Sequence, residues 1–150
     1  MSMGDLKNHI FAVADASGLD VTNLQLHKAM FLSFCRILQH EGPNSELVVE
    51  TYDVPFKKWM YGPVVENEYH EYSHFGRKPI QTDEGELSTE FSNIPGFDDF
   101  VESLLTADPF HLVEIIHRMD SWANFEPDIM NRNHVEPYSI EEINRDIVQG

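Results

Sequence analysis

Between Thr22 and Gly42 the chain carries Leu26, Met30, Phe34 and Leu38 at intervals of four, with Phe31 and Ile37 beside them. Apolar residues at that spacing line one face of an α-helix. The Thr22 hydroxyl suits an N-cap, and Glu41-Gly42-Pro43 suits a stop. A helix of about five turns is therefore predicted, and a stripe that long needs other elements to cover it. An earlier, shorter helix follows from Leu6, Ile10, Val13 and Ala14, which share a face and are stopped by Gly18.

Helical signals continue downstream. Pro63 suits the first position of a third helix, since its missing N–H would be unpaired there. Val65, Tyr69, Tyr72 and Phe75 or Gly76 would then share one face, with Glu66, His70 and His74 on the other. A fourth helix is predicted from Phe97, with Phe100, Val101, Leu104 and Leu105 inward and Asp98 and Asp99 in its first turn. Asp108-Pro109 opens a fifth, carrying Leu112, Val113, Ile115, Ile116 and Met119, and Ser139 to Glu142 is a capping-box pattern for a terminal helix through Ile143 and Ile147. Two β elements are expected: a short strand from Leu47 to Tyr52, limited by Pro55, and a small hairpin from Ile80 to Ser88 around Asp83-Glu84-Gly85. The stretch from Trp122 to Pro137, with its Asn and Pro residues and no clear period, is expected as a surface loop. The expectation is a mainly α, compact multi-helix domain with a small β-hairpin or short strands, and 150 residues suit a single domain.

Charge narrows the function. Lys and Arg number 10 against 26 Asp and Glu, a net charge of −16. Such a surface repels phosphate backbones and anionic membranes and steers basic partners inward. A basic protein partner or mimicry of nucleic acid fits it, as does an ordinary acidic surface. The single cysteine, Cys35, lies in an apolar run, so no internal disulfide can form and a reducing, cytoplasmic setting is expected. No apolar run has membrane-spanning length, and the opening residues lack a signal-peptide core.

His70-Glu71-Tyr72-Ser73-His74 matches HExxH, in which two histidines one helical turn apart hold zinc and the glutamate activates a bound water. A zinc hydrolase is thus one reading, with Glu84, Glu86 or Glu90 as third ligand. Against it, Gly76 ends the helix two residues after His74, and the extended motif would need glycine and histidine where Arg77 and Ile80 stand. The alternative buries Tyr69 and Tyr72 and leaves His70, Glu71 and His74 in solvent. No Gly-rich phosphate loop or G-x-S-x-G nucleophile motif occurs, and Cys35 on an apolar face is a poor nucleophile. A binding protein without cofactor is the expectation.

Trp59-Met60-Tyr61-Gly62-Pro63-Val64-Val65 followed by Tyr69 resembles the signature of the Panacea domain, a phage-associated, SocA-like family. Upstream, Leu24 to Phe31 is similar to the family's LKLQKLLY helix, with Lys28 and Phe31 in register; downstream, Ile116 to Trp122 is similar to its TH…PW element. The three blocks come in the family's order. His27 stands for the family's glutamine, Ala29 for a leucine, Phe31 for a tyrosine and Ser121 for the proline before tryptophan. The resemblance implies an antitoxin that neutralises a cognate protein toxin by direct binding. It marks Lys28, Phe31, Trp59, Tyr61, Gly62, Pro63, Val64, Tyr69, His117 and Trp122 as motif and partner-binding positions. Lys28, His117 and the Tyr61 and Tyr69 hydroxyls are expected to cluster between helices.

Overall fold

The computed structural model describes residues 1–149, without the side chain of Gln149. Helix α1 (Met3–Ser17) leads into α2 (Asn23–Glu41), the long helix predicted from its stripe. Thr22 Oγ1 accepts from the Gln25 N–H at 3.3 Å, and the Gly42 N–H closes the far end on the Leu38 carbonyl. A short α3 (Glu46–Thr51) precedes an antiparallel hairpin of β1 (Lys57–Trp59) and β2 (Gly62–Val64). Then come α4 (Glu66–Glu71), a 3₁₀ turn at Ser73–Phe75, α5 (Thr89–Ser92), α6 (Phe97–Thr106) and α7 (Pro109–His117). The chain closes with α8 (Asp120–Ala123), α9 (Glu126–Met130) and α10 (Ile140–Gln149). The fold is mainly α with one small hairpin, and among the described residues no helix is long and apolar enough to cross a membrane.

Helix α2 is the axis. It packs against α1, α3, α6, α7, α10 and β2, and every residue from Gln25 to Phe34 is buried. The apolar stripe is therefore only part of what α2 hides. Gln25, His27, Lys28 and Ser33 are buried too, and buried polar groups must find partners or pay a desolvation cost. Gln25 Nε2 donates to the Leu105 carbonyl at 2.6 Å, tying α2 to the end of α6. Its neighbours point the other way, toward the hairpin.

Four expectations need correction. Leu47 to Thr51 is helical, with Tyr52 just past its end: Val48 and Thr51, three apart, are its buried positions, so tertiary packing overrides β propensity. Pro63 sits in β2, and the helix after it begins at Glu66. The hairpin is not at Ile80–Ser88, which is an extended strap across α1 and the connection between α1 and α2: the Ile80 N–H donates to the Val21 carbonyl at 2.7 Å and the Glu86 N–H to the Asn8 carbonyl at 3.0 Å. Gly85 in that strap lies so close to α1 that a Cβ would stand 3.1 Å from the Ala12 nitrogen. Trp122 to Pro137 is no simple loop, since it completes α8 and holds α9.

The terminal helix starts as its sequence predicts. Ser139 Oγ accepts from the Glu142 N–H at 3.1 Å, and Glu142 Oε1 accepts from the Ser139 N–H at 3.1 Å. Glu142 also reaches the hairpin. Its Oε2 receives Lys58 Nζ of β1 at 2.7 Å, and that ammonium lies 3.7 Å from the Phe125 ring centre. The hairpin is thereby fastened to the C-terminal helix.

Candidate functional site

The three motif blocks, scattered from Leu24 to Trp122, meet beside the hairpin. Trp59 to Gly62 turn tightly, with Trp59 paired to Gly62 across a two-residue loop of Met60 and Tyr61. Gly62 has φ of +102°, a region that L side chains rarely adopt. A Cβ there would also stand 3.2 Å from Lys28 Cε. Lys28 runs beneath the turn and is 1% exposed, and its Nζ donates to the Pro63 carbonyl at 2.8 Å. Burial holds this amine down at about 7.

His27, one residue earlier, accepts the Val65 N–H at 3.1 Å through Nδ1. The ring proton consequently sits on Nε2, which is buried without a partner. Burial, with the Lys28 charge beside it, pushes the imidazole down to about 3, so it stays neutral. Tyr69 of α4 covers this histidine, its ring centre 5.7 Å away, and packs edge-on against Trp59 at 5.1 Å. Asn23 Nδ2 donates to the Tyr69 carbonyl at 3.0 Å, pinning α4 to the start of α2.

Behind the hairpin, Trp122 of α8 is buried, and its indole N–H donates to the Trp59 carbonyl at 2.9 Å. His117, at the end of α7, stacks on the Trp122 ring with centres 3.6 Å apart and planes 11° apart. Burial lowers the His117 pKa and the Lys28 charge adds to this, while the Met60 backbone beside it opposes both.

In front of these residues lies a cleft of about 650 Å³, bounded by the first turn and a half of α2, the hairpin, α4 with the following turn, and the start of α7. Lys28, Trp59, Tyr61, Gly62, Val64 and Tyr69 line it. Phe110, 59% exposed, and Met60 stand on its rim with Tyr61, also 59% exposed. The volume is in the range of small-ligand and side-chain pockets.

Not every motif position belongs to this cleft. Phe31 is fully buried against Phe56 and Tyr138, with ring centres at 5.2 and 4.9 Å, and serves the core. Pro63 is part of β2 and does not line the cleft, while His117 and Trp122 support the hairpin from behind. The expected polar cluster does not form as a side-chain network among the described residues: Lys28 bonds backbone, His117 stacks, and Tyr61 faces solvent. His27, Asn23, Met60, Arg77 and Phe110 join the site without having been singled out for it. Two carried a signal: His27 stands where the family pattern has glutamine beside Lys28, and Met60 lies inside the quoted Trp59 to Val65 stretch. Comparison with protein-family models, with curated proteins and with solved structures finds no match for this chain.

The HExxH residues are placed differently from a zinc turn. Helix α4 stops at Glu71, so His70 lies in the last turn of one helix and His74 falls in the separate 3₁₀ turn, its ring tilted against Phe75 at 4.2 Å. His70 Nε2 lies 3.8 Å from Glu66 Oε1. Tyr72, between the histidines, is the buried residue: its hydroxyl donates to Glu84 Oε1 at 2.6 Å, and its ring meets Phe11. Glu84 and Glu68 both pair with Lys7 of α1, so Glu84 is committed to holding the strap down. Among the described residues no three His, Cys, Asp or Glu side chains stand where they could hold a metal ion.

Proposed function

We propose that the chain is a protein-binding module of the antitoxin type, which neutralises a protein toxin by occupying or distorting its surface. One observation carries the reading: two of the three sequence blocks that resemble the Panacea pattern line a single cleft, the third braces its hairpin through Trp122, and exposed apolar side chains, Met60, Tyr61 and Phe110, crowd the rim. Large exposed apolar groups gathered around a concavity are the usual mark of a partner surface. The −16 charge supports a basic partner, since opposite charge accelerates encounter.

The test is co-expression with the product of the neighbouring gene, scored for growth rescue. Wild-type chain is expected to rescue, and a Tyr61→Ala/Phe110→Ala double variant to fail while its thermal midpoint moves by less than about 2 °C. Full rescue by that variant would move the partner surface elsewhere. No rescue by the wild-type chain would sink the antitoxin reading.

A further inference from the structure

The cleft differs chemically from the rest of the molecule. The chain has 26 acidic residues, yet among the described residues no Asp or Glu lines the cleft, whereas Lys28 and Arg77 do. The lysine–carboxylate pairs of the described residues involve Lys7, Lys57 and Lys58 and leave Lys28 out. A lysine ammonium has three donors, and this one has one acceptor, the Pro63 carbonyl. A buried amine without a counter-charge is costly, and an anion arriving through the cleft relieves the cost.

Two further groups wait behind Tyr69. His27 is fully buried with its Nε2 donor unpaired, and Asn23, one turn earlier on α2, has an unpaired Oδ1. The walls are Trp59, Tyr61, Tyr69 and Phe110, which favour a flat ring. Aromatic cages also bind cations. A cation here would meet Lys28 and Arg77 with no carboxylate to offset them, so the charge selects the opposite sign.

We propose that the cleft receives an aromatic group joined to a carboxylate, supplied by the protein partner, with the ring among the aromatic walls and the carboxylate directed to Lys28 and Arg77. This rests on the partner-binding reading and adds to it the chemistry of the anchor. The acidic outer surface attracts a basic partner, and the cleft selects one anionic aromatic element within it.

N-acetyl-phenylalanine, its amide and N-acetyl-lysine amide are the probes, titrated into the full chain while the Trp59 indole signal is followed by NMR. The free acid is expected to bind about tenfold more tightly than the amide, with the lysine probe weakest. Lys28→Met and Arg77→Gln should each reduce that preference and impair growth rescue; Arg77 is exposed, so its variant tests the idea even if Lys28→Met folds poorly. Equal binding of acid and amide, or stronger binding of the lysine probe, overturns the proposal. An acid preference in variants that retain full rescue overturns the partner as its source and leaves a site for a free aromatic acid. Failure of wild-type rescue with the acid preference intact removes the antitoxin reading and the partner together, while the aromatic-acid site remains.

Discussion

At Gly62 two obstacles to an added methyl group coincide. Its positive φ and its 3.2 Å approach to Lys28 Cε act together, so Gly62→Ala is expected to cost about 1–3 kcal/mol in urea unfolding. Lys28 gives a second prediction, through pH. Its ordinary pKa of 10.5 applies to the unfolded chain, and about 7 to the folded one. Between those values the unfolded chain holds the proton that the folded chain has released, so this residue makes stability rise with pH across the window. The full penalty is present below about pH 7. Lys28→Met should flatten the rise, as read from urea unfolding at about pH 7.5 and about pH 9.5 in both proteins. Burial pushes the Cys35 thiol up and acts in the opposite direction, but equally in both, so it drops out of the difference. An unchanged slope would show that Lys28 is not held neutral by burial.

At the scale of elements, the capping box of α10 and the Lys58–Glu142 pair share one carboxylate. Ser139→Ala removes the cap alone and is expected to cost about 1 kcal/mol. Glu142→Ala removes the cap and also strands Lys58, which is 6% exposed, so about 3 kcal/mol is expected. Equal costs for the two variants would mean that the ion pair contributes nothing. Helix α4 bears on the zinc reading at the same scale. Because it ends at Glu71, the two histidines of HEYSH do not share a helical turn. Protein purified without added zinc is expected to carry well under one equivalent, unchanged in a His70→Ala/His74→Ala variant. One tightly held equivalent, lost on that double replacement, would revive the hydrolase reading.

For the whole molecule, the excess of 16 negative charges acts over distances set by salt. The association rate with the partner should fall by about tenfold or more when ionic strength rises well beyond physiological, because the screening length, about 8 Å at physiological salt, shrinks toward about 3 Å at 1 M. Association insensitive to salt would remove the electrostatic part of the proposal and leave the cleft untouched. Charge reversals spread over the acidic surface separate the antitoxin from a nucleic-acid mimic. An antitoxin should lose activity only for changes around one compact patch, whereas a mimic should weaken with each reversal.

The amino-acid sequence by itself determined the helical class, the limits of α2, the starts of α6 and α7 and the capping box of α10. Those features depend on local periodicity and on side chains that bond their own backbone within a few residues. Tertiary structure decided the hairpin, because Met60-Tyr61 carries no turn signature and its register is set by Lys28 reaching Pro63 from another element. It also decided that α3 is a helix and that Ile80 to Ser88 is a strap, since both depend on what packs against them. The cleft was legible only in part. Motif order pointed to Lys28, Trp59, Tyr61 and Tyr69, but the exclusion of acidic residues, the orphaned His27 nitrogen and the exposed Phe110 belong to a surface made by four separated segments. No single stretch of chain contains that information.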